Sequence, residues 1–149
     1  MNNISKKEQF KELINESSEM VVFTGAGIST ESGIPDFRSP GGLWTKFKPI
    51  DFGSFMSSEE VRAESWRRKF NIDNTISKAK PNKGHEAIAH LVKKGKVNAV
   101  ITQNIDNLHQ DSGVPMDKII ELHGNTTYAI CLSCKKRYEI NVIKKEFLK

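Results

Sequence analysis

The chain has 149 residues, 37% hydrophobic and 28% charged, which is material for one sizeable core, with no composition break that would mark a second large domain. Its net charge of +5 invites an anionic partner, but the cations are scattered or gathered late in the chain (Lys135, Lys136, Arg137, Lys144, Lys145, Lys149) without aromatic interleaving. A solvated basic surface is therefore expected rather than direct nucleic-acid binding. Residues 1–19 are polar with no apolar signal core, and no apolar run is long enough to span a bilayer, so a cytoplasmic chain without membrane attachment is expected.

Ser5 with Glu8 three residues later forms a capping box, and Phe10, Leu13 and Ile14 recur at helical spacing, which predicts an amphipathic helix over 4–16. Residues 20–24, Met-Val-Val-Phe-Thr, are apolar and β-branched and run into Gly25-Ala26-Gly27, the pattern of a buried parallel strand entering a phosphate-binding turn. From Ser32 to Phe55 the chain is rich in Gly, Pro, Ser and aromatics without a period, which reads as a long functional loop over a ligand, holding at most a short helical turn.

Ser57 or Ser58 can cap a helix reaching about Phe70, with Glu59 and Glu60 at its dipole-favoured start, and 71–82 reads as a loop. Residues 83–94 put Ala87, Ile88, Leu91 and Val92 on one face and end at Gly95, a helix with a stop signal. Residues 97–102 are the next strand, followed by Gln103-Asn104-Ile105-Asp106 and a short helix through His109 and Gln110. Residues 119–122 make a third strand ending on His123-Gly124-Asn125. Strands separated by helices or long loops, each ending in glycine or polar residues, predict an α/β, Rossmann-like parallel sheet with its ligand site at the strands' carboxyl ends.

Gly25-Ala26-Gly27 after a strand lets backbone N–H groups approach a pyrophosphate, or it is a structural bend. Thr30 stands where a third glycine would be, and the acidic residue expected after the second strand is not evident. Cys131 and Cys134, spaced C-x-x-C, point to metal ligation or redox chemistry more than to a structural disulfide. His85 and His90 are five residues apart and do not share a helix face, so packing or surface roles are expected for them, and a structural one for His109.

Together these motifs carry a resemblance. Gly25-Ala26-Gly27-Ile28-Ser29 continuing into Ser32-Gly33-Ile34-Pro35-Asp36-Phe37-Arg38, then Thr102-Gln103-Asn104-Ile105-Asp106 with Leu108-His109 and Gly113, then Leu122-His123-Gly124, then Cys131 and Cys134, resembles the Sir2 (sirtuin) family in order and spacing. The resemblance implies an NAD-dependent protein-lysine deacylase. In that reaction an acyl-lysine carbonyl oxygen attacks the nicotinamide ribose of NAD, giving nicotinamide, free lysine and O-acyl-ADP-ribose. It implies that His123 is the general base, acting through the ribose hydroxyls; the other reading is a hydrogen-bonded histidine at a strand end.

By the same resemblance Asn104 bonds the ribose or an ordered water, Gln103 reaches the ribose hydroxyls, and Ile105 with Asp106 receives the carboxamide; Asn104 and Asp106 can equally cap the following helix. Gly25, Ala26, Gly27 and Ser29 belong to the cofactor turn. Arg38 is assigned to the pyrophosphate or ribose, and Phe37 to shielding the reactive carbon, or else to packing. Asp36 orders the loop or touches the ribose. The 52–70 segment looks closer to class II members, and without a Tyr-x-x-Arg pair it suits neutral acyl groups.

The resemblance divides the chain into a partial catalytic domain over 1–125, with its cofactor loop at 25–55, and the first half of a zinc-binding module over 126–149. A structural zinc site takes four ligands, and Cys131 and Cys134 supply two. If they bind zinc, the other ligands must come from elsewhere, such as a histidine or a second chain; otherwise they are two thiols in an unfinished module, with a thioredoxin-like redox role as a further alternative. The chain is expected to stop before the family's later strands, leaving its last strand as an edge, so an inactive NAD- or ADP-ribose-binding fragment and a protein ADP-ribosyltransferase stand as other readings.

Overall fold

The computed structural model describes residues 5–36, 39, 40, 42 and 48–149. Phe37 and Arg38 lie outside the described residues.

Helix α1 spans Lys6–Glu16 and opens with the reciprocal capping box: the Glu8 amide donates to Ser5 Oγ, and Glu8 accepts from the Ser5 amide. None of its residues is buried, and its C-terminal end is held from outside, where Lys96 Nζ donates to the carbonyls of Ile14 and Asn15 at 2.8 and 2.7 Å. Strand β1, Met20–Thr24, delivers the chain into a 3₁₀ turn over Ala26–Ser32 that stops at Gly33, whose φ of 83° is the left-handed region open to glycine.

Asp51 caps a short helix α2, Phe52–Ser57, so the loop expected to run to Phe55 ends sooner. Ser58 then caps α3, Glu59–Ile76. Helix α3 runs six residues past the expected stop at Phe70 because nothing in Asn71-Ile72-Asp73-Asn74-Thr75 breaks it. The Lys69–Asp73 ion pair and the buried Phe70 and Ile76 anchor that extra stretch. Helix α4, Lys83–Lys93, ends as predicted before Gly95, which adopts φ 72°.

Strand β2, Val97–Thr102, is the centre of the sheet, pairing in parallel with β1 on one side and with β3, Ile119–Glu121, on the other. The short helix α5, Leu108–Asp111, lies in the connection between them. The core sits on one face of this sheet. Val92, Val97, Val100 and Val114 are buried, and Met20, Val22, Ile88, Leu91 and Ile119 pack around them. The other face is open: Val21 and Phe23 are exposed, so β1 is buried on one side only, contrary to the expectation from its continuous apolar run. Strand β3 is an edge, as expected, and so is β1.

After β3 the chain forms an antiparallel hairpin of β4, Tyr128–Ile130, and β5, Arg137–Glu139, and then helix α6, Ile140–Phe147. Helix α6 docks on α3: the Phe147 and Phe70 rings are 5.5 Å apart, Trp66 stacks on Phe70 at 5.6 Å, and Lys69 Nζ donates to the Thr126 carbonyl at 3.0 Å. Among the described residues no helix is long and apolar enough to cross a membrane.

Candidate functional site

The carboxyl ends of β1, β2 and β3 bring the predicted residues together. Parallel pairing sets Thr24 beside Thr102 and Thr102 beside Glu121, so the segments that follow (Gly25 onward, Gln103 onward and Leu122-His123) leave the sheet side by side. Their arrangement is bonded. Asn104 Nδ2 donates to the Gly25 carbonyl at 3.1 Å and to Ser29 Oγ at 3.2 Å, and Ser29 Oγ donates to Asp106 Oδ2 at 2.6 Å. The second carboxylate oxygen of Asp106 accepts the Leu108 amide at 3.0 Å. Asp106 therefore holds the start of α5, as expected, and also accepts from Ser29 in the cluster, whereas the Asn104 side chain is turned to the glycine turn and does not cap α5.

Ser29 is 1% exposed and Asp106 8%, so these groups form a dry floor. Hydrogen bonds to a buried carboxylate are each worth about 1.5–3 kcal/mol, enough to hold the turn's shape. Above that floor a side chain added at Gly27 would meet no described atom within 4 Å, while one at Gly25 would touch Gln103 Nε2 at 3.7 Å. Ala26 is half-buried between them. The Ile105 carbonyl is taken by the Thr126 amide at 2.8 Å, which ties this segment to the hairpin.

His123 is exposed, and its Nδ1 lies 3.0 Å from the Gln103 carbonyl. A carbonyl only accepts, so Nδ1 carries the proton and Nε2 of the neutral ring keeps its lone pair. That tautomer is the one a general base needs.

Residues that the sequence reading passed over hold the site from behind. Asn82 Nδ2 donates to the Ile28 carbonyl at 2.7 Å and to Ser32 Oγ at 2.9 Å, while its Oδ1 accepts the Gly84 amide, which pins the 3₁₀ turn to the start of α4. A Cβ on Gly84 would lie 3.2 Å from Ile28 Cγ1, so glycine there allows the close approach. His85 Nδ1 accepts the Asn82 amide at 3.3 Å, and the His85 and His109 rings sit 5.1 Å apart, both fully buried. Burial keeps both rings neutral. It lowers the pKa of His85, and it takes His109 to about 4, helped by the neighbouring His85 and opposed by Asp106. His90 is exposed, as expected.

Glu121 is a second unforeseen hub, accepting from Gln110, Asn125 and Tyr128 at the end of β3. Asp36 accepts the amide and hydroxyl of Ser39, which orders a local turn. Among the described residues two clefts do not contain Gly25, Gln103 or His123, although the first reaches Asp106. One of about 410 Å³ runs between Asp73, Asp106, Thr126, Glu139 and Lys144, and one of about 540 Å³ lies beside His90, Lys93 and Lys118.

Cys131 and Cys134 occupy the β4–β5 turn, unbridged. The Lys135 amide donates to the Cys131 carbonyl and the Cys131 amide to Lys136, with Lys135 in the left-handed region at φ 60°. The backbone N–H of Cys134, then that of Ser133, draws the Cys131 thiol below its ordinary pKa, the condition for a thiolate ligand. The pair suits half of a tetrahedral site. Among the described residues no cluster of three or more His, Cys, Asp or Glu side chains could hold a metal.

Residues 25–149 match the Sir2 family. The chain is 56% identical over 140 residues to NAD-dependent protein deacetylase 1 of Bradyrhizobium diazoefficiens, covering 94% of this chain and 55% of that protein. It is 46% identical over 143 residues to the NAD-dependent protein deacetylase of Thermotoga maritima, covering 94% and 56%. Among solved structures it resembles a Sir2 histidine-to-alanine variant with a deacetylated p53 peptide and 3'-O-acetyl ADP-ribose, at TM-score 0.85 and 41% identity over 97% of this chain and 58% of that one. It also resembles Sir2Tm bound to a propionylated peptide, at TM-score 0.78 and 40% identity over 97% and 56%. The chain thus spans a little over half the length of these relatives.

Proposed function

The chain belongs to the Sir2 family, and on that premise we propose that it carries the NAD- and acyl-lysine-handling half of an NAD-dependent protein-lysine deacylase, the activity for which its relatives are named. The observation that carries the reading is the convergence of Gly25, Ser29, Gln103, Asn104, Asp106 and His123 at three adjacent strand ends, with His123 in the tautomer of a base.

In this reading the glycine turn receives the pyrophosphate, because Gly27 leaves room for it and the N–H groups of the 3₁₀ turn are the donors an anion needs. Arg38 adds charge to that contact and Phe37 covers the reacting carbon, as the family resemblance implies. The Asn104–Ser29–Asp106 floor fixes the nicotinamide end. As the acyl oxygen bonds to the ribose carbon, the glycosidic bond breaks and nicotinamide leaves with the bonding pair. His123 Nε2 then takes a ribose hydroxyl proton, so that oxygen can attack the acyl-bearing carbon.

The relatives' names and the peptide-bound structures support an acetylated or similarly neutral acyl-lysine as partner. Within 52–70, Arg62 and Arg68 are both occupied by backbone carbonyls, which agrees with a site that does not seek an acyl carboxylate. Cys131 and Cys134 hold one half of a structural zinc site whose remaining ligands lie outside the described residues.

The test is nicotinamide release from NAD in the presence of an acetyl-lysine peptide, comparing the chain with His123→Ala. Release that needs both the peptide and His123 supports a deacylase. Release with ADP-ribose left on the protein substrate identifies a transferase, and binding of ADP-ribose without release identifies a binding module.

A further inference from the structure

Beneath the site runs a line of buried polar groups that the proposed chemistry does not use. The Asn104 amide donates to Thr102 Oγ1 at 3.0 Å, Thr24 Oγ1 donates to Thr102 Oγ1 at 2.8 Å, and His109 Nε2 lies 2.8 Å from Thr24 Oγ1. If Thr24 gives its one hydroxyl proton to Thr102, His109 Nε2 is the donor to Thr24 and His109 Nδ1 is left as a bare acceptor; the opposite order makes His109 Nε2 the acceptor and leaves a second N–H donor on Nδ1 beside the His85 ring. His85 is ordered by the backbone. Its Nδ1 accepts the Asn82 amide, so its proton is on Nε2. Those two leftover atoms, His85 Nε2–H and His109 Nδ1, are the buried side-chain polar atoms without a partner among the described residues. In the first order one is a donor and the other an acceptor, on rings 5.1 Å apart.

We propose that His109 is a positioning residue held as the Nε2–H tautomer, the order that puts an acceptor rather than a second donor beside His85 Nε2–H: it orients the Thr24 and Thr102 hydroxyls so that Thr102 presents a lone pair to the Asn104 amide, and so aims the Asn104 side chain at Gly25 and Ser29. The two rings, 5.1 Å apart and not hydrogen-bonded to each other, stand between the Asn82 clamp on the 3₁₀ turn and the strand ends. Both ends of that line finish on the ligand-binding turn, at Ile28 and Ser32 through Asn82 and at Gly25 and Ser29 through Asn104. The neutrality that burial imposes on both rings keeps this order. A packing role alone demands neither the tautomer nor the directed chain. The reading rests on the proposed function only for what Asn104 does to the ligand; the hydrogen-bond order stands apart from it.

The test uses the chain as it is, with ¹⁵N-labelled histidine and backbone. Long-range ¹H–¹⁵N spectra are expected to place the ring proton of both His85 and His109 on Nε2, and a proton on Nδ1 of His109 overturns the proposal. Hydrogen exchange at the Asn104 amide is the second readout. His109→Leu keeps bulk but loses the donor, and should speed that exchange by about tenfold while the Val100 amide in the same strand is unchanged. His109→Gln, whose amide nitrogen can replace Nε2–H, should restore it to within about threefold. Equal exchange in the Leu and Gln variants, or acceleration at Val100 as large as at Asn104, reduces His109 to packing and overturns the proposal. If the unsubstituted chain releases no nicotinamide, the proposed function is what fails, and both NMR readouts still decide the role of His109.

Discussion

Acidification should destabilise this chain through His109 before the carboxylates protonate. In an unfolded chain a histidine titrates near 6.5, whereas in the fold His109 titrates at about 4, because burial and the adjoining His85 disfavour the cation more than Asp106 favours it. The folded-state pKa is the depressed one. Stability is therefore fully present above about pH 6.5 and declines as the pH falls toward 4, since over that interval the unfolded chain takes up a proton that the folded chain refuses.

At pH 5 the loss relative to pH 7.5 comes to about 2 kcal/mol for this group alone. His85 on α4, also shifted downward by burial, adds in the same direction, and among the described residues the Asp106 carboxylate ahead of α5 opposes both. Glu8, Asp51, Glu60 and Glu64 have lowered pKa values from their hydrogen-bonding hydroxyl and arginine partners, but those are surface groups whose effect begins below the ordinary carboxylate range. Urea unfolding at pH 7.5, 6.0 and 5.0 would read the effect as a midpoint falling by about 1–2 M for a chain of this size. His109→Gln should flatten most of the slope whatever its effect on absolute stability. A midpoint constant from pH 7.5 to 5, or an unchanged slope in His109→Gln, would refute the reasoning.

Gly84→Ala sets a methyl group 3.1 Å from Asn82 Oδ1 and 3.2 Å from Ile28 Cγ1, and is expected to cost about 1 kcal/mol in urea unfolding despite alanine's better helix propensity. In an Ile28→Ala background it should cost less, with a coupling of at least about 0.5 kcal/mol; simple additivity would show that Ile28 is not the obstacle. Cys131 should reach half-maximal alkylation by iodoacetamide at a lower pH than free cysteine, because the Cys134 and Ser133 N–H groups favour its thiolate. Peptide mass spectrometry reads it, and a midpoint at or above that of free cysteine contradicts it. Lys96→Met removes the cation that binds the last carbonyls of α1, and should raise amide exchange over 10–16 about fivefold with β2 unaffected; protection that persists would mean α1 holds itself.

Local signals in this sequence were legible where one segment decides its own structure. The Ser5–Glu8 box, the strand over 97–102 and the Gly95 stop all formed as their chemistry dictates. The clustering of Gly25, Ser29, Asn104, Asp106 and His123 was legible because their segments leave the sheet at strand ends, where parallel pairing leaves few alternatives. What escaped were features fixed by contacts distant in sequence. Local propensity ends helix α3 near Phe70, because the polar residues after it have weak helical character on their own, whereas in the fold it continues to Ile76, which is buried against Ile34 and Leu108. Nothing local told that Asn82 reaches Ile28 or that His85 meets His109, since each is a long-range pairing. Helix α6 has a readable local signal, Ile140, Ile143 and Phe147 at helical spacing, which the Cys131–Cys134 pair just before it outweighs.

Asp106 completes the electrostatic picture. It is 92% removed from solvent and bonded to a hydroxyl and an amide, and among the described residues no cation pairs with it. A buried carboxylate in that state is costly unless something compensates it. The proposed co-substrate supplies the complement, because the nicotinamide ring of NAD is a cation while that of NADH is neutral. At an effective dielectric near 20, a charge pair a few ångströms apart is worth at most about 4 kcal/mol, and the protein's own dipoles will leave a fraction of that. The chain should therefore bind NAD about tenfold or more tightly than NADH, and Asp106→Asn, which keeps shape but loses charge, should erase most of that preference. Calorimetric titration of both dinucleotides into both proteins gives the four constants. Equal discrimination before and after the substitution would mean that the carboxylate serves the turn's architecture alone.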